Sequence, residues 1–353
     1  MVTPASESLA RAGSGLTILF IGGTGVISAA AAERAVTAGH RLTVLTRGHQ
    51  TLRPVPAGAE VLVADIRDAG SVRAALGSRS FDVVVDFVAF SPGQVAADIE
   101  LFEGRTAQYV FISSASAYQK PPAALPIRES TPLRNPFWQY SRDKIAGEDL
   151  LLAAYRERGF PVTIVRPSHT YDRTQIPLSG GWSDIIRLRA GAPVVVHGDG
   201  TSLWTLTHSS DFAKAFVGLL GLPQAVGESF TITSDEVLPW NAIYAVYAAA
   251  AGAPEPDLVH VTSDTIAAAN PDLGASFLGD KAHSVIFDNT KVRALVPEFV
   301  CTTPLWRGAR AAIAWFDAHP EQQRRDPALE RTFDTLIAAA RPGSGAAGGS
   351  KDS

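Results

Sequence analysis

Residues 17–28 constrain this chain more than any other stretch. Thr17–Ile21 is a short apolar run that stops abruptly at glycines, as a strand buried on both faces of a parallel sheet does. Gly22, Gly23 and Gly25 let the backbone turn sharply and come close to a ligand. From Val26 the alanine-rich sequence reads as a helix, closed by Gly39. A helix that starts where a glycine loop ends points free N–H groups above the strand, and such a place favours phosphate. The spacing Gly22-x-x-Gly25-x-x-Ser28 is a dinucleotide fingerprint with serine in the third place. Ordinary strand–turn–helix units share the spacing. The strand before it and the helix after it are what favour a nucleotide.

Further apolar runs at Arg41–Thr46, 60–64, 82–87, 108–113 and 162–166 alternate with helical patterns at Ala69–Leu76, 94–102 and 137–158. The alternation predicts an α/β protein with a doubly wound parallel sheet, a Rossmann arrangement whose ligands sit at the carboxyl ends of the strands. After Pro167 the pattern becomes irregular, with helices expected at 211–220, 239–251 and Leu305–Ala318 and a strand at 228–233. The division this suggests is a nucleotide-binding domain over 16–170, to which 204–222 returns. A smaller substrate domain follows over 171–203 and 223–340. The ends, 1–15 and 341–353, read as disordered.

Bulk properties narrow the function. The chain has 353 residues, 46% hydrophobic and 19% charged, enough for a sizeable core. A net charge of −4 gives no general attraction for nucleic acid or an anionic membrane. The single cysteine, Cys301, excludes an intrachain disulfide and fits a reducing, cytoplasmic setting. There is no signal-peptide pattern, and no apolar run approaches the roughly 18 residues that span a bilayer. The eight histidines show no metal-ligand spacing, so no metal is expected.

Tyr140 and Lys144 lie four apart on the long predicted helix and share a face. A phenol titrates at about 10, too high for a base at neutral pH. A nearby ammonium, with the positive charge of an oxidised nicotinamide, would lower that value and let Tyr140 exchange a hydroxyl proton. Ser114 follows the fifth predicted strand directly and could hydrogen-bond the same substrate oxygen. Ser113 and Ser116 are neighbours with equal chemistry.

At these residues the sequence resembles the short-chain dehydrogenase/reductase superfamily, in its extended, epimerase-like branch. The resemblance runs from about residue 17 to 318. It rests on Gly-Gly-Thr-Gly-Val-Ile-Ser at 22–28, Asp65-Ile66, Ile-Ser-Ser-Ala-Ser-Ala-Tyr at 112–118, Tyr-Ser-Arg-Asp-Lys at 140–144 and Arg166-Pro167. Gly198-Asp199-Gly200 and Thr-His-Ser-Ser-Asp at 207–211 look like later landmarks of that branch. The first motif also resembles an atypical branch that includes chloroplast stem-loop RNA-binding proteins.

The resemblance implies that Ser114, Tyr140 and Lys144 are catalytic, with Lys144 also on the nicotinamide ribose. It places Gly22, Thr24, Gly25, Val26 and Ile27 at the pyrophosphate, Asp65 and Ile66 beside the adenine, and Ala89 and Pro167 among the cofactor contacts. Ser116, His169 and Trp204 become candidate substrate contacts; His169 otherwise reads as a satisfied loop histidine and Trp204 as core. Thr46-Arg47 stands where NAD-selective members carry an acid, which favours NADP over NAD unless Arg47 stacks on the adenine or is solvated. Ala115-Ser116 replaces the Asp-Glu pair of the dehydratases, which argues against dehydration. Trp204 stands where many nucleotide-sugar epimerases carry a diphosphate-binding arginine, leaving Arg187, Arg189 or Arg307 to substitute.

The implied function is an NAD(P)-dependent epimerase or oxidoreductase acting at a hydroxyl or keto carbon of a sugar, nucleotide-sugar or related polyol. The alternatives are an NADPH-dependent ketone reductase of secondary metabolism and a non-catalytic nucleotide-sensing or RNA-binding member of the fold. A homodimer through helices 94–102 and 137–158 is expected by analogy.

Overall fold

The structure, a computed structural model, describes residues 15–49 and 52–341. The two ends expected to lack structure fall outside these residues, apart from Gly15 and Arg341. Arg341 pairs with Asp257 at 2.6 Å.

The central sheet is built around β1 (Thr17–Ile21). On one side of it lie β2 (Arg41–Thr46) and β3 (Glu60–Val63). On the other lie β4 (Phe81–Asp86), β5 (Thr106–Ile112) and β6 (Val162–Pro167), with Ser229–Ile232 as the seventh strand. All neighbouring pairs run parallel. The chain winds outward from β1 to β3 and then crosses back to β4, so the strand order reverses beside β1 and opens a crevice there.

Period-two alternation sends successive side chains to opposite faces of the sheet. Ile18, Phe20, Val83, Val85 and Val110 pack on one face, under α1 (Val26–Thr37) and the helix Ser209–Leu219. Leu19, Ile21, Val84, Tyr109 and Phe111 pack on the other. That face is covered by α2 (Ala69–Leu76), α3 (Pro92–Phe102) and α4 (Gln139–Arg158). Burial on both faces explains why β1 and β4 read as continuous apolar runs. α4 ends at Gly159, whose φ of 70° supplies the left-handed turn that stops a helix.

A second core lies beyond the carboxyl ends of the strands. Trp182, Trp240, Tyr244 and Tyr247 are buried there, and the helices Trp240–Ala250 and Leu305–Ala318 pack together around it. Val194–His197 pairs in parallel with Leu258–Val261 in a separate two-stranded sheet.

Two elements depart from the sequence reading. Ser229–Ile232, grouped there with the smaller unit, is hydrogen-bonded to β6 as the outer strand of the main sheet. A four-residue strand carries no signal saying which sheet it joins. The helix Pro327–Ala340, unforeseen in the sequence, buries only Phe333 and Leu336, too thin a stripe to stand out against its polar residues. Asp326 caps it, accepting from the Ala328 and Leu329 amides at 3.0 Å. No helix among the described residues is long and apolar enough to cross a membrane.

Candidate active site

The turn after β1 explains its glycines. Gly22 has φ of 81°, and a Cβ there would lie 2.5 Å from Cγ1 of Val88. A Cβ on Gly23 would lie 2.7 Å from Cγ1 of Val44. Ser28 in the third fingerprint position ties the turn together, its Oγ accepting from the Gly25 amide at 2.7 Å. The first-turn amides of α1, at Val26 and Ile27, have no partner within the helix.

They border a groove of about 810 Å³ that runs over the ends of β1 to β3. Gly22, Thr24, Gly25, Val26, Ile27, Arg47, Asp65 and Ile66, the cofactor candidates of the sequence reading, all line it. A backbone turn free of side chains, unpaired helix amides and an elongated groove together fit a dinucleotide. Ala89 lies off the wall; its methyl is in the core and its carbonyl faces Lys144.

A cleft of about 390 Å³ continues from the groove, with Val26, Thr170 and Gln175 on both walls. It gathers Ser114, Ser116, Tyr140, Pro167, His169 and Trp204 from four separate stretches of chain. Strand alternation separates the adjacent serines. Ser113 turns inward and donates to buried Glu148, while Ser114 faces the cleft. The Ser114 hydroxyl shares the cleft wall with Tyr140 and lies 2.9 Å from Oγ of Ser116, which also accepts from Ser141 at 2.7 Å.

Lys144 is buried. Its ammonium donates to the carbonyls of Ala89 at 2.7 Å and Ile112 at 2.8 Å. It sits 4.7 Å from the Phe90 ring centre, 4.8 Å from Phe111 and 5.8 Å from Tyr140. Burial pulls its titration down to about 8, against the opposing charges of Asp86 and Glu148. The sequence reading has this ammonium lowering the Tyr140 titration. In the structure burial dominates and raises it; Ser114 pulls it down and Asp280 pushes it further up. Tyr140 is therefore a neutral phenol at pH 7 in this state.

His169 and Trp204 meet. The indole N–H donates to Nδ1 of His169 at 3.3 Å, a bond that assigns the imidazole proton to Nε2. Burial, helped by the charge of Lys281, pushes His169 down to about 3, so the ring is neutral. The three arginines offered as substitutes lie elsewhere. Arg187 pairs with Asp334, Arg189 with Asp317 at 2.7 Å, and Arg307 donates to the Thr302 carbonyl at 3.3 Å. The charged residues on the cleft wall are Asp280 and Lys281, which the sequence reading did not single out. Among the described residues no three His, Cys, Asp or Glu side chains are grouped to hold a metal ion.

The profile of the NAD dependent epimerase/dehydratase family matches residues 18–233, the span that builds the groove and brings Ser114 to Tyr140. The chain belongs to that family. As a member of the NAD dependent epimerase/dehydratase family it is an epimerase or oxidoreductase of the short-chain dehydrogenase/reductase type. Among curated relatives, chloroplast stem-loop binding protein of 41 kDa b from Arabidopsis thaliana is 29% identical over 269 residues, 73% of this chain and 69% of that protein. The 2'-dehydrokanamycin reductase of Streptomyces kanamyceticus is 26% identical over 234 residues, covering 65% of each chain. In solved structures, epimerase Mth375 of Methanothermobacter thermautotrophicus superposes with a TM-score of 0.73 at 16% identity, covering 91% of this chain and 98% of that one. The UDP-glucose 4-epimerase of Bifidobacterium longum, solved with NAD+ and UDP, gives 0.70 at 16% identity, covering 87% and 99%. At these identities the two structures bear on the fold.

The displaced titration of Lys144 predicts a pH signature. The group titrates at about 8 in the fold, against 10.5 unperturbed. Between those values the unfolded chain still holds a proton that the native state has released. Stability therefore rises with pH across that window and is missing that increment below it. Urea unfolding of the wild type and Lys144→Met at matched pH should give a stability difference that shifts in favour of the wild type from pH 8 to 10. A flat difference would mean that burial leaves the lysine unshifted.

Proposed function

We propose that this protein is an NAD(P)-dependent oxidoreductase or epimerase acting at a hydroxyl or keto carbon of a sugar or sugar-like polyol. The observation that carries the reading is that Ser114 and Tyr140 line one cleft, which opens into the groove.

In this reading the Val26 and Ile27 amides hold the pyrophosphate, Asp65 and Ile66 flank the adenine, and Pro167 borders the nicotinamide. A bound nicotinamide nucleotide would supply the hydride acceptor or donor. Tyr140, neutral at pH 7, donates its proton to a substrate carbonyl oxygen, and in the reverse direction its phenolate takes the proton of a substrate hydroxyl. Ser114 hydrogen-bonds the same oxygen and fixes its position. Two N–H groups of Lys144 are spent on carbonyls, leaving the third for the nicotinamide ribose. Ser116, His169 and Trp204 contact the substrate. Ala115-Ser116 offers no acid–base pair to expel water, so the reading excludes dehydration.

Two relatives support this choice by their names, the reductase of S. kanamyceticus and a UDP-glucose 4-epimerase of Lactobacillus helveticus that is 28% identical over 170 residues. The name of the A. thaliana relative favours an RNA-binding reading instead. Ser114 and Tyr140 on one cleft wall, with Lys144 5.8 Å from the Tyr140 ring centre, and the net charge of −4 weigh against that.

Tyr140→Phe should reduce turnover of keto sugars or UDP-hexoses by about 100-fold or more while nucleotide binding persists. A salt-dependent RNA gel shift without turnover in either protein would replace the reading. The exposed Arg47 at the mouth of the groove favours NADP(H). Calorimetry should show the wild type preferring NADP(H) over NAD(H) and Arg47→Ala losing the preference, and NAD(H) bound more tightly by the wild type would reverse the assignment. A homodimer through α3 and α4 completes the proposal. Light scattering should give about twice the 37.3 kDa chain mass, and a mass at the single-chain value rules it out.

A further inference from the structure

We propose that Lys281 anchors an anionic group, a carboxylate or a phosphate, carried by the substrate itself. The proposal rests on the reading above and extends it by naming the substrate's charge.

The cleft wall carries two charged side chains, Asp280 and Lys281. Asp280 is already paired: fully buried Lys120 lies 2.9 Å from its carboxylate. Lys281 has no such partner among the described residues. Its ammonium lies 5.7 Å from the Trp138 ring centre and 5.9 Å from Phe277. Aromatic faces attract a cation but do not neutralise it. The Asp280 charge also bears on this ammonium, but Lys120 already engages that carboxylate, so a largely desolvated cation on the cleft wall still gains from an arriving anion. Its positive charge already reaches His169 and His197 and lowers the titration of both.

The backbone around Lys281 is built to hold that position. Phe277–Lys281 forms a π-helical turn, an unusual conformation that places Asp280 and Lys281 together on the wall. The Lys281 carbonyl takes hydrogen bonds from Nε2 of His197 at 3.0 Å and Oγ of Ser202 at 3.1 Å. The Gly279 carbonyl accepts from Asn135 at 2.6 Å. A Cβ on Gly279 would lie 2.6 Å from Cβ of Trp138, so the turn is pressed directly onto the residue whose ring Tyr140 also contacts, at 4.8 Å between centres.

That shared ring sets the scale. Lys281 and Tyr140 both lie against the Trp138 ring, so an anion at the first and a reacting carbon at the second fall within one sugar-sized molecule. A single ammonium is a point charge without the planar fork that grips a diphosphate, and among the described residues no arginine lines the cleft. The geometry points to one anionic substituent on the substrate, a sugar acid or a sugar phosphate.

The test uses full-length protein loaded with nicotinamide nucleotide, with quenching of Trp138 and Trp204 fluorescence as the readout. The probes are D-glucuronate, D-glucose 6-phosphate and neutral D-glucose. At least one of the two acids should bind about tenfold or more tightly than glucose, the discrimination one charge-assisted hydrogen bond supplies. Which acid it is separates carboxylate from phosphate. Lys281→Met should erase the preference at unchanged nucleotide affinity, and Lys281→Arg should restore part of it. Equal binding of all three probes by the wild type overturns the anchor and needs no variant to fold. A preference that survives in Lys281→Met also overturns it. Failure to load any nicotinamide nucleotide would remove the functional reading and the anchor together, whereas loaded protein indifferent to charge removes the anchor alone.

Discussion

Lys144 donates from the middle of α4 to the Ile112 carbonyl, which ends β5, and to the Ala89 carbonyl in the loop after β4. One turn deeper, Glu148 accepts from Ser113 and pairs with Arg166 of β6 at 2.5 Å. Arg166 passes the connection on to the Tyr118 hydroxyl at 3.1 Å, and Tyr118 to Thr231 on the seventh strand at 2.6 Å. Positions 140, 144 and 148 share one face of the helix, so the two buried charges fix both its depth and its rotation. Breaking a buried ion pair on one side costs about 3–5 kcal/mol, because the remaining charge is stranded. α4 therefore cannot slide along the sheet, and Tyr140, one turn above Lys144, is held at the cleft.

The parts of this arrangement carried by local pattern could be read from the sequence. β1, its glycine turn and α1 announce themselves by an apolar run, turn residues and alanines. The four-residue spacing of Tyr140 and Lys144 is enough by itself to put them on one face of a helix. The serines show where such reading stops. Ser113, Ser114 and Ser116 are chemically equivalent, and only the pleat of β5 and the turn after it decide that Ser113 meets Glu148 while Ser114 faces the cleft. Ala89 acts through its carbonyl, which no side-chain pattern can signal.

Asp280 and Lys281 lie outside local pattern altogether. They follow Tyr140 by 140 and 141 residues in the sequence and reach the same cleft through a π-helical turn that has no simple sequence signature. The turn is fixed by contacts from distant elements, Asn135 before α4 and His197 at the end of a strand in the second core. Sequence pattern places the glycine turn of the groove because one continuous β–α unit builds it, while Arg47, Asp65 and Ile66 join from the ends of the next two strands. The substrate side is assembled from segments that are neighbours only after folding.

The electrostatics behind Lys144 show which effect wins. Asp86, at the end of β4, accepts from the Val88 amide at 2.5 Å and the Ala89 amide at 2.8 Å, so its charge lies just behind the carbonyl that receives the lysine. Asp98 of α3 hydrogen-bonds Asp86 and accepts from Tyr109 at 2.7 Å. Burial raises both carboxyls, and Asp98 further because its neighbour is anionic. Asp86 is thus already engaged by two amides where it faces Lys144. The other nearby carboxylate, Glu148, is already committed to Arg166. Each acid that could have stabilised the ammonium is thus partly spent on another partner. That is why desolvation prevails and leaves a lysine that titrates at about 8 within reach of two carboxylates.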